Sequence, residues 1–187
     1  KSDNSGYVKE VLQGAAWQQY DLKNYDFAEA LFSLVNDNEG RYLSLSAQSG
    51  DTSKQRAFDL ACSINTEVFI RRCADALASQ QAQLYDTRRY KQSIEAGEAL
   101  ARLRPLSIEE QALIGWAAKE IQDTTTATSA FERVLAKTPT DTVIANELVM
   151  LNQNDDATLN RLALRYSAVK SILQERTSRN AWPRKQF

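Results

Sequence analysis

Cys62 and Cys73 are the only cysteines in this 187-residue sequence, and eleven positions separate them. The intervening Ser63-Ile64-Asn65-Thr66 reads as a turn between two helices. Residues set nearly symmetrically about such a turn can reach disulfide distance. The alternative reading is two small buried side chains at helix contacts. A bond between them would indicate an oxidising setting, periplasmic or extracellular.

Most other chemistry is excluded by composition. The chain has no histidine, which removes Ser-His triads, Cys-His dyads, His-ligated metals and imidazole pH switches together. The carboxylate neighbours Glu109-Glu110 and Asp155-Asp156 have the right groups for acid–base work. On a helix, however, adjacent side chains diverge by about 100° and do not share a site. No Gly-rich phosphate loop, dinucleotide fingerprint or Cys-x-x-Cys pair is present in the sequence. The expectation is a protein with no catalytic residues, no metal and no cofactor.

Charge narrows the partners. The 23 basic and 24 acidic residues leave a net charge of −1, so the whole is not a polycation built for nucleic acid. The charges are unevenly placed. Arg161, Arg165, Lys170, Arg176, Arg179, Arg184 and Lys185 face one acidic residue, Glu175, giving +6 after residue 160 and −7 before it. This basic end suits an acidic partner, an anionic polymer or a neighbouring copy, or it is a solvated cap and tail. The acidic body opposes nucleic acid. No apolar run approaches the roughly 20 residues of a membrane span. The chain starts at Lys1, which is read as a processed or excised piece.

The elements that carry these groups are helices. At 43% apolar and 25% charged, with 6 Gly and 3 Pro, the chain is globular and poor in the turns that many strands need. Pro105 and Pro139 lie 34 residues apart, and the segments before them align without a gap. Ile114-Gly115, Ala127, Phe131, Val134 and Pro139 set a spacing. It is matched near the start by Ala16-Trp17, Tyr25, Ala28 and Phe32. Apolar residues at 27, 28, 31, 32, 34 and 35 recur with helical period. These residues resemble the tetratricopeptide repeat, in which paired helices A and B cross at a small residue.

The resemblance implies an all-α fold, a right-handed α-solenoid of stacked antiparallel helix pairs. Five pairs are expected in one domain, at 8–41, 42–73 (short), 74–107, 108–141 and 142–167. Residues 168–187 would form a capping helix and basic tail. Ligands of this family lie against helix A. Carried over, the groove columns read Trp17, Ala82 and Trp116, then Tyr20, Tyr85 and Lys119, then Asp21, Asp86 and Glu120. Aromatic and acidic residues side by side suit a basic peptide or a sugar. Equally, the rings could pack against neighbouring helices and the acids could be solvated charges ending theirs. The functional expectation is a scaffold for a protein or peptide partner. An alternative, on likeness of style, is a periplasmic or cell-envelope module of bacterial exopolysaccharide export. That module would guide the polymer or dock polymer-modifying enzymes.

Overall fold

The computed structural model describes residues 4–180, and side chains are described from Ser5 to Ser178. Among the described residues there are eleven helices and no strand. The helices are α1 (Asn4–Asp21), α2 (Tyr25–Leu34), α3 (Asn38–Ala47), α4 (Asp51–Ser63), α5 (Glu67–Asp86), α6 (Tyr90–Leu103), α7 (Ile108–Glu120), α8 (Thr124–Lys137), α9 (Thr142–Leu151), α10 (Asp156–Arg165) and α11 (Ser167–Asn180). The fold is all-α: five successive helix pairs, then a last helix. In each pair the odd-numbered helix is A and the even-numbered one is B.

Side-chain caps delimit many of these helices. Asp37, Asp123, Asp141 and Asp155 accept from backbone N–H groups of the first turns of α3, α8, α9 and α10. Ser107 and Glu110 cap α7 reciprocally, satisfying two otherwise orphaned donors. Pro139 lies between α8 and α9 in the segment Thr138-Pro139-Thr140-Asp141. Thr138 closes α8 and Asp141 opens α9.

The chain divides into two compact units, Lys1–Ala76 and Leu77–Phe187. In the first, α1, α2, α3 and α4 pack in succession and α1 also touches α3. Its core centres on Ala16, Ala28 and Phe32, all fully buried. The Phe32 ring lies against Gly40 of α3, where an added Cβ would collide with it. Glu29 of α2 sits beneath the surface between Arg41 of α3, at 3.4 Å, and Arg56 of α4, at 3.0 Å. The Cys62 and Cys73 sulfurs are bonded, linking the end of α4 to α5.

In the second unit, α6, α7, α8 and α9 pack in succession, and α11 covers both α9 and α10. Phe131, Leu135, Leu148, Leu162 and Val169 are completely buried. The Ser93 hydroxyl of α6 donates to the Gln81 carbonyl, and the Gln81 amide donates to the Glu110 carbonyl. These bonds hold α5, α6 and α7 together.

Helix limits differ from the repeat windows at several places. α3 starts at Asn38, so the division at 41/42 falls inside it. α5 starts at Glu67, well before residue 74. Aligned core residues fix the phase of a repeat, whereas helix ends are set by caps and turns.

Candidate functional site

Three A helices end in the same way. Asp21, Asp86 and Glu120 are the last residues of α1, α5 and α7. Lys23, Arg88 and Gln122 follow in the left-handed region, each with φ of 61°. In all three turns the positive-φ residue donates its N–H to the carbonyl three back, and the next residue donates five back. The first bonds run from Lys23 to Tyr20, Arg88 to Tyr85 and Gln122 to Lys119. The second run from Asn24 to Gln19, Arg89 to Leu84 and Asp123 to Ala118. Every carboxylate therefore emerges at one equivalent point, exposed to solvent. It is also the negative end of its helix dipole, where an acidic side chain is unfavourable by roughly 0.3–1 kcal/mol. A bound cation would relieve that cost.

The aromatic residues are half-buried. Trp17 meets Phe32 edge-on at 4.8 Å and Tyr20 at 5.7 Å. Trp116 meets Phe131 in the same manner at 5.0 Å. Tyr20 stacks edgewise on Tyr25 at 5.3 Å, and Tyr85 on Tyr90 at 5.6 Å. Each ring thus packs on the B helix of its own pair and keeps part of its surface open. Ala82 stands where the other two pairs have tryptophan.

Trp17, Tyr20 and Asp21 belong to the Lys1–Ala76 unit. Tyr85, Asp86, Trp116, Lys119 and Glu120 belong to Leu77–Phe187, and there the groups interact. Burial pushes the Tyr85 hydroxyl above its ordinary pKa, and the Glu120 carboxylate beside it adds to the shift. Lys119 lies over the Trp116 ring at 5.2 Å and pairs with Glu147 of α9 at 2.6 Å. Lys119 is therefore partnered, and the face α5–α7–α9 is acidic and aromatic. Glu147 carries no signal in the sequence, because the fifth pair lacks the aromatic residues by which the columns align.

The basic residues do not gather on one face. Arg161 of α10 forms two hydrogen bonds, 2.9 and 2.6 Å long, to the Glu132 carboxylate of α8. Arg165 approaches the same carboxylate at 3.9 Å. Arg176 instead reaches the Asn146 side chain of α9, at 3.4 Å, and Met150. Lys170 is exposed beside Asn160, Ala163 and Leu173. Arg161 and Arg165, four residues apart, share one side of α10, whereas the six-residue spacing of 170 and 176 puts those two on different sides of α11. The side chain of Arg179, and all of Arg184 and Lys185, lie outside the described residues, as do Trp182 and Pro183.

Among the described residues no group of His, Cys, Asp or Glu is arranged to hold a metal ion. No helix is long and apolar enough to cross a membrane.

No known protein family matches the chain. No curated protein matches it either. Among solved structures it is similar to a point mutant of MamA, with a TM-score of 0.46 and 12% identity over 89% of this chain and 92% of that one. A MamA RS-1 double mutant gives 0.40 and 16% over 91% and 97%. MamA residues 41 to the end, from Desulfovibrio magneticus RS-1, gives 0.39 and 16% over 89% and 96%.

Proposed function

We propose that this protein is a non-enzymatic tetratricopeptide-like scaffold that holds a basic segment of a protein partner against the A-helix face of its Leu77–Phe187 unit. The reading takes the five helix pairs as repeats of one domain. One observation carries it: Asp86 and Glu120 stand exposed at the negative ends of α5 and α7, beside the half-buried Tyr85. Solvated charges placed only for solubility gain nothing from that position, whereas a lysine or arginine docked between them relieves the repulsion. The half-buried Tyr85 ring offers a surface on which a guanidinium can stack.

The test is a titration with a short Arg- and Leu-containing peptide, set against an acidic peptide of equal length, followed by tryptophan fluorescence. The basic peptide should bind and the acidic one should not. Replacing Glu120 with Gln and Asp86 with Asn should weaken it about tenfold, with the salt dependence reduced. Equal response to both peptides, or unchanged affinity in the double variant, defeats the proposal.

A second reading is supported by the Cys62–Cys73 bond. It places the module in the bacterial periplasm or cell envelope, docking partners of exopolysaccharide export or guiding the polymer. Protein exported to a periplasm, unfolded without reductant and alkylated should show no added mass per monomer. A soluble oligosaccharide should perturb the tryptophan emission. Two alkylations, or silence across several glycans, would remove this reading and leave the first.

A further inference from the structure

A different surface, on the B helices of the last two pairs, has the features of a ligand site. α8 packs on α7 and α9, while α10 packs on α11. Side chains bridge the space between α8 and α10: Arg161 to the Glu132 carboxylate, and the Tyr166 hydroxyl donating to the Glu132 carbonyl at 3.1 Å. They line an open cleft of about 610 Å³, within the usual size range for small-molecule sites.

Its lining is polar and basic. Thr124, Thr125, Thr128, Ser129 and Thr158 contribute hydroxyls, and Arg133, Arg161 and Arg165 contribute guanidinium groups. The carboxylates present, Glu132 and Asp155, are already engaged. Glu132 is held by both hydrogen bonds of Arg161. Asp155 accepts from the Thr158 N–H as the cap of α10. Arg165 touches Glu132 at only 3.9 Å, and Arg133 has no ion pair among the described residues. The Thr124, Thr125 and Ser129 hydroxyls likewise have no hydrogen-bond partner there.

By charge, the three arginines of the cleft exceed its two carboxylates by one, and three of its hydroxyls have no partner among the described residues. The first turns of α8 and α10 also open onto it. Both are already capped by aspartate, whose carboxylate offsets the positive end of the dipole, so neither is a site of its own.

We infer that this cleft binds a phosphate group, as free phosphate or as the ester of a small polyhydroxylated molecule. Guanidinium forks suit a tetrahedral oxyanion bearing more than one charge, and the α8 hydroxyls serve the remaining oxygens and the ester's hydroxyls. Glu132 orients Arg161 and lies 3.9 Å from Arg165, while Arg133 keeps its charge without an ion pair among the described residues. The site is independent of the A-helix face.

The test is isothermal titration of the full chain with inorganic phosphate and with a hexose phosphate, ionic strength being held with chloride. The amide resonances of Thr124, Thr125, Ser129 and Thr158 are followed in parallel. Saturable binding is expected, with shifts confined to those amides. The double variant Arg133→Gln/Arg165→Gln should lose on the order of tenfold in affinity, while the exposed Lys91→Gln should lose none. Tighter binding of the ester identifies an esterified ligand; equal binding identifies free phosphate. Both replaced arginines are exposed, so circular dichroism should show wild-type folding, and Arg133→Gln alone serves if the pair does not fold. No saturable heat, shifts elsewhere, or equal affinity in the arginine variants would overturn the inference.

Discussion

Gly115 and Ala16 occupy the same place in two helix pairs, each next to a tryptophan and facing a buried phenylalanine, yet they tolerate different side chains. Ala16 is fully buried on the Phe32 side of α1. At Gly115 an added Cβ would lie 2.5 Å from Phe131 Cε1 and 2.6 Å from Cδ1. The α7–α8 crossing is closed by that ring, and Phe131 is fully buried and cannot swing away. Gly115→Ala should therefore destabilise by about 1–3 kcal/mol, although alanine is native at the equivalent position. Thermal melts of the variant check this, and an unchanged melting temperature would show that the ring readjusts. The need for a small residue here was legible from the repeat spacing. The need for glycine in one pair and not the other was not, because it depends on tenths of an ångström in the crossing.

At the scale of elements, the turns between A and B helices are the most regular feature and the least visible in sequence. A left-handed residue at a helix end is usually announced by glycine, and here Lys23, Arg88 and Gln122 hold it. Only the shared register of the three pairs identifies them as one position. Since a non-glycine side chain is strained there, glycine at each should stabilise by about 0.5–1 kcal/mol, net of its entropy cost. Valine should do the opposite, and denaturant midpoints of six single variants measure both signs. The helix-to-helix ion pair at Glu132 belongs to the same scale. The Arg161 guanidinium holds the Glu132 carboxyl below its ordinary pKa. The unfolded chain therefore binds more protons, and the stabilisation is complete above the unfolded value near 4.3. It is lost as pH falls through the lower folded value. Arg161 is half exposed, so the effect is at most about 1 kcal/mol. Glu132→Gln should flatten the acid limb of a stability–pH curve below about pH 4.5 by that amount. A limb as steep as that of the unaltered chain would assign acid sensitivity elsewhere, Glu110 with Arg104 being the next such pair.

For the whole molecule the informative fact is how stabilising contacts are distributed along the chain. Ion pairs join neighbouring pairs of helices at similar separations. Glu29 pairs with Arg56 and Glu132 with Arg161 between B helices, and Glu39 pairs with Arg72 and Lys119 with Glu147 between A helices. Such nearest-neighbour coupling makes stability a sum of local terms rather than one cooperative block. The Cys62–Cys73 bond lies wholly within the Lys1–Ala76 unit. It closes a short loop, and its removal should cost that unit about 2–3 kcal/mol. In Cys62→Ser/Cys73→Ser, hydrogen exchange should accelerate by roughly 30- to 150-fold in α4 and the first turns of α5, the rate equivalent of that loss. Amides of α7 and α8, which share no contact with the bond, should keep their wild-type rates. If α7 and α8 accelerate equally, the chain unfolds as a single block. The local account of its stability would then be wrong.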